Sequence, residues 1–147
     1  MCCGIMKNEE AIGIEWSEEM AIQYCSENYG TIYTKMYHES HAGAYVSYLR
    51  GERCQTDESF FAEISASFQF PGYFGNNWNA LHDCLSNLGW LKFTKIFIAF
   101  DDFEIVFRGD EEGKRLLSSA FTNMVKWWSE QGIEVEVWLN DRYRYSG

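Results

Sequence analysis

Apolar residues along this chain recur with two different periods, and the change from one to the other outlines the fold. The run AYVSYL is rich in β-forming residues and predicts a strand over 44–49. Phe60, Phe61, Ile64 and Phe68 then recur at helical spacing, with Glu58 and Glu63 elsewhere on the helix. Thr56 or Asp57 supplies a cap, so a helix is predicted over 57–69, broken by Pro71-Gly72. A second helix is predicted over 77–87, capped by Asn76 or Asn77. KIFIAF at 95–100 is a continuous apolar run, the pattern of a strand buried on both faces. A long helix follows over 111–131. Asp110, Glu111 and Glu112 suit its positive end, and Gly132 stands just past its last turn. IEVEVWL at 133–139 alternates strictly and reads as a final strand.

From residue 44 the order is therefore strand, helix, helix, strand, helix, strand. Helical crossovers between strands imply a parallel sheet with helices packed on it, so the class is α/β. A boundary falls near residue 43. Before it, SEEMAIQYCSEN at 17–28 predicts a short helix, with Ser17 as cap and Gly30 as stop. TIYTKMY at 31–37 predicts a strand that turns through ESHAG to pair with 44–49 as a hairpin. Residues 1–43 are thus expected to be an extension packed on the 44–147 domain, adding a short helix and an edge strand.

Charge changes the picture of what this domain binds. There are 22 acids against 12 bases, a formal charge of -10. Phosphate binding needs clustered Lys and Arg, so nucleic acid is excluded as a partner and a cationic protein is favoured. No apolar run approaches the ~18 residues of a membrane span. No charged stretch followed by an apolar one marks a secretory signal, and the expected location is the cytoplasm. The five cysteines form no C-x-x-C pair, which removes the usual zinc and redox readings. Neither a metal nor a cofactor is expected. His38 and His41 look like two ligands, but two do not make a metal site, and turn histidines are common.

Candidate chemistry concentrates in FPGYFGNNWNALHDCLSNLGWL, residues 70–91. On a helical wheel Trp78, Leu81, Leu85 and Leu88 share one face, while Asn79, Asp83, Ser86 and Asn87 share the other. Asn79 and Asp83 are four apart and therefore neighbours. Asp83 is the helix's one carboxylate, and His82 lies at the edge of the apolar face. His82, Asp83 and Cys84 are consecutive, so on a helix they point about 100° apart and make no nucleophile–base pair. On the long helix Leu117, Ala120, Phe121, Met124 and Trp128 are expected to fill a buried arc flanked by Trp127.

The same segment resembles the motif of the barstar family. It runs Pro71, Tyr73, Phe74, Gly75, Asn77, Trp78, Asn79, Ala80, Leu81, His82, Asp83, Cys84, Leu85. YLRGERCQTDESFFAEI before it resembles the family's first strand and helix. KIFIAFDDFE and GIEVEVWL resemble its second and last strands, so the likeness covers 44–139. The resemblance implies a two-layer fold, with a small three-stranded parallel sheet packed by helices. It implies a non-catalytic inhibitor or immunity protein, in a bacterial cell, that binds a basic ribonuclease one-to-one and plugs its active site. Carried over position by position, the contact residues would be Tyr73, Phe74, Gly75, Asn77, Asn79, His82 and Asp83.

Three positions depart from the family pattern. Asn79 stands where an acid is frequent, His82 where an aromatic is, and Ser119 where some relatives carry an acid. Two other readings stay open. One is a binding module on the same scaffold whose partner is a non-ribonuclease toxin or a regulatory protein. The other is a small enzyme built on His82 and Cys84.

Overall fold

The computed structural model describes residues 3–5, 22–25 and 29–140, with side chains from 32 to 139. In chain order the elements are strands β1 (Cys3–Ile5) and β2 (Ile22–Cys25), helix α1 (Tyr29–His41) and strand β3 (Ala44–Arg50). Helices α2 (Asp57–Phe68) and α3 (Trp78–Leu85), strand β4 (Lys95–Asp101), helix α4 (Glu111–Glu130) and strand β5 (Glu134–Asn140) follow. The sheet order is β1-β2-β5-β4-β3. β3, β4 and β5 are parallel, as the helical crossovers between them require.

β4 sits between its two parallel partners and is covered on both faces, which is why its sequence is continuously apolar. Ile96, Ile98 and Phe100 join Leu49, Val135, Val137 and Leu139 in the main core beneath α2, α3 and α4. Phe97 and Ala99 face the other way and meet Ile32 of α1 and Trp138 of β5. The helix α1 therefore forms a layer on the second face, beyond the two that the resemblance implies.

The extension is built differently from the expectation in two places. Residues 31–37 lie inside α1 and form no strand, so there is no hairpin with β3. Their β-propensity is a weak preference that tertiary contacts override. Ile32, Met36 and Glu39 recur at helical spacing, Ile32 and Met36 in the second core and Glu39 on Lys95 of β4. Within the expected helix 17–28, residues 22–25 form β2, and the rest lies outside the described residues. β2 runs parallel to β5, with Ile22 opposite Val137 and Cys25 opposite Asn140. A lone 12-residue helix is marginal in water, whereas the open side of β5 gives these backbone groups partners. The added strands thus extend the β5 side of the sheet. β3 is the edge on the other side, where the Arg50 N–H donates to Glu63 Oε2 at 2.9 Å.

Charged side chains tie α1 to the sheet. Lys95 Nζ lies 2.6 Å from both Glu39 Oε1 of α1 and Glu136 Oε1 of β5. Lys35 lies 3.5 Å from Glu39. Trp138 Nε1 donates to the other oxygen of Glu136. The polar position of the alternating strand β5 thus lies buried under α1.

Candidate partner-binding site

The motif segment is held from beneath by aromatic packing. α2 starts at the N-cap Thr56, whose hydroxyl accepts from Ser59 N–H. Arg50 of β3 grips Glu63 of α2 with two guanidinium hydrogen bonds of 2.8 Å. Burial pushes the Glu63 carboxyl up, but the Arg50 hydrogen bonds and charge outweigh it and hold it below the usual range. α2 is thereby fixed on the sheet, and its Phe60 and Phe61 rings take Trp78 at centroid distances of 5.5 and 5.1 Å. Leu81, Cys84 and Leu85 of α3 are buried, and Leu88 follows them inward. At the other end Trp128 Nε1 donates to the Leu85 carbonyl at 2.7 Å, pinning α3 to α4. The apolar face predicted for this helix is the buried one. On α4, Leu117, Ala120, Phe121 and Met124 are buried and Trp128 is half-buried, while Trp127 flanks them at 42% exposure.

The candidate contact residues divide into two groups. Tyr73 stands at the loop tip with 69% of its surface exposed. Gly75, Asn79 and Asp83 are exposed and His82 is half-exposed. Asn79 and Asp83 lie one turn apart on the outer face of α3. Among the described residues, no hydrogen bond or ion pair engages the Asp83 carboxylate. Phe74 and Asn77 serve the scaffold instead. Phe74 is 8% exposed and packs edge-on against Phe70 and Phe61 at 4.8 and 6.0 Å. It anchors the loop and presents almost no surface to a partner. Asn77 is the N-cap of α3. Its Oδ1 accepts from Ala80 N–H at 2.8 Å, and its Nδ2 donates to the Gly75 carbonyl at 3.1 Å.

The helix offers little to support nucleophilic chemistry. Cys84 is 3% exposed, and burial followed by the Asp83 charge pushes its thiol above the ordinary value. Such a thiol stays protonated and inward at neutral pH. His41 stacks on Tyr37 at 4.1 Å in the last turn of α1, and its Nδ1 donates to the Tyr37 carbonyl. Among the described residues, no three His, Cys, Asp or Glu side chains gather to hold a metal. None of the described helices is long and apolar enough to cross a membrane.

What the arrangement presents is an exposed polar face on a braced scaffold. A carboxylate stands on a short helix braced at both ends, beside an exposed tyrosine on an anchored loop. Sequence reasoning missed Asp57 and Glu58, which line a groove with Asn76, Asn77 and Trp78. In sequence Asp57 reads as a possible helix cap and Glu58 as a polar helix position, because the groove forms where two helices meet.

A search of curated proteins finds no match. A family model described as Barstar (barnase inhibitor) matches residues 44–140, from β3 to the end of β5. The match takes in the whole braced segment and leaves out α1, β1 and β2. On that evidence the chain belongs to the barstar family, an inhibitor family.

Proposed function

We propose that this protein inhibits a basic ribonuclease in the bacterial cytoplasm, as immunity or self-protection, by seating Tyr73 and the outer face of α3 in the nuclease active site. The observation that carries this reading is Asp83, exposed on a braced helix and without a hydrogen-bond or ion-pair partner among the described residues. A ribonuclease stabilises charge developing on a phosphate, so its cleft holds Arg, Lys or His donors. A preorganised carboxylate takes the place of that phosphate. Tyr73 covers apolar walls of the cleft at low entropic cost. Asn79 adds hydrogen bonding without charge, and His82 reaches the rim. The net charge of -10 draws in a cationic partner. Family membership supports the inhibitory role in general, and the nuclease target is our reading.

The test mixes the full chain with a panel of basic ribonucleases, barnase among them, and follows RNA cleavage. One-to-one inhibition is expected. Asp83→Ala keeps the parental thermal midpoint and weakens binding about 10- to 150-fold, the equivalent of one hydrogen-bonded charge (about 1.5–3 kcal/mol). Inhibition by Asp83→Ala equal to the parent's overturns the reading. The neutral Asn79, where an acid is frequent, favours a second reading in which the same face binds a toxin or regulator other than a ribonuclease. Co-purification of a partner without ribonuclease activity would establish it.

A further inference from the structure

A groove of about 640 Å³ opens where the first turn of α2 meets the start of α3. Its size falls among ligand-binding clefts, roughly 300–1,000 Å³. Trp78 and Phe61 form apolar walls, and Asn76, Asn77, Asp57 and Glu58 add polar lining, the Asn77 amide being held by the α3 cap and the Gly75 carbonyl. Among the described residues, the lining holds two carboxylates and no basic side chain. Acids in a first turn suit the helix dipole, but capping does not consume these two, because Thr56 and Ser59 cap each other. Each helix start contributes about half a positive charge, so two full carboxylates leave the groove net negative. Trp78 Nε1 donates to Asp57 Oδ2 at 3.4 Å, which holds the carboxylate beside the indole. Among the described residues, no hydrogen bond engages Asp57 Oδ1.

A planar cation fits this chemistry better than a point charge. A guanidinium stacks on an indole face, is weakly hydrated, and presents paired donors to a carboxylate, whereas an ammonium is compact and strongly hydrated. The groove lies at the N-terminal end of α3, the helix whose outer face carries Asn79 and Asp83, because Asn77 and Trp78 line it. We infer that this groove receives an arginine side chain of the cationic nuclease, supplying next to α3 the negative charge that Asn79 lacks. The inference rests on the proposed inhibitory function and assigns it a second anchoring point.

Two measurements on the full chain test it. In the first, amide and indole NMR signals are followed during titration with N-acetylarginine amide, N-acetyllysine amide and uncharged N-acetylnorleucine amide. The arginine probe is expected to shift the Trp78 indole N–H and the Asn76 and Asn77 side-chain amides, saturating at millimolar concentration. The lysine probe shifts them less and norleucine leaves them in place. Asp57→Asn with Glu58→Gln, which retains the Thr56 cap, abolishes the arginine response. In the second, the same double variant inhibits the nuclease about tenfold less tightly than the parent, the scale of one stacked charge contact. An unmoved Trp78 signal, or equal inhibition by the double variant, overturns the inference. Failure of the inhibitory function appears separately, as a parent chain that inhibits no ribonuclease. That result removes the nuclease as the arginine's source whatever the NMR probes do.

Discussion

Phe74→Ala separates anchoring the loop from contacting the partner. The ring is 8% exposed and touches Phe61 and Phe70. A buried aromatic side chain removes about 150–250 Å² from water. At roughly 25 cal/mol per Å² its loss forfeits on the order of 4 kcal/mol, an upper bound because unfolded chains already bury part of their surface. The site lies in a loop that can settle inward, which limits the cavity left behind. The expected destabilisation is about 3 kcal/mol, within the range for Phe→Ala. For a chain of this size that lowers the thermal midpoint by roughly 6–12 °C. Urea unfolding followed by tryptophan fluorescence checks it, with the midpoint falling and the slope unchanged. Tyr73→Ala is the control, because an exposed side chain alters stability by less than about 0.5 kcal/mol. A Phe74→Ala variant as stable as the parent but unable to bind a nuclease would refute the reasoning, since the ring would then face the partner.

Three further outcomes follow from the geometry. Asn77→Ala removes the α3 cap and costs about 1 kcal/mol in urea unfolding, with faster hydrogen exchange in the first turn of that helix. Gly51→Ala is destabilising by about 1–3 kcal/mol in the same assay. Its added carbon would press on the backbone oxygens of Asp102 and Asp101, the latter at 2.6 Å, and neither can swing away. The seat of α1 is sensitive to acid. Burial pushes the Glu39 carboxyl up, but the hydrogen bond and charge of Lys95, with those of Lys35, outweigh it and hold the carboxyl below its ordinary 4.5. A carboxylate lowered in the folded state stabilises fully above its unfolded value, and that contribution is lost as pH falls through the folded one. Protection of the α1 amides from hydrogen exchange, relative to their intrinsic rates at each pH, should therefore fall below pH 4.5 in the parent and change less in Glu39→Gln.

How much was legible depended on whether a segment's partners lay within its own pattern. From residue 44 on they did. Phe60, Phe61, Ile64 and Phe68 mark one face of α2, KIFIAF is buried on both sides, and IEVEVWL alternates. Sequence also placed Asp83 on the outer face of α3. It could not tell Tyr73 from Phe74, because a turn has no period to say which of two adjacent rings points inward. The extension was misread for a different reason. The inward stripe of α1 holds Ile32 and Met36 but also Lys35 and Glu39, so the apolar pattern has gaps. Those gaps make sense only beside Lys95 and Glu136, which arrive much later in the chain. The groove beside Trp78 was hidden likewise, since it exists only once α2 and α3 meet.

A structure of this chain in complex with a basic ribonuclease tests the proposed binding mode most sharply. The Asp83 carboxylate is expected within about 3 Å of arginine, lysine or histidine donors in the catalytic cleft, with Tyr73 against its wall. A complex in which α3 faces away from the nuclease, and α1 or the β3 edge makes the contact, would contradict it.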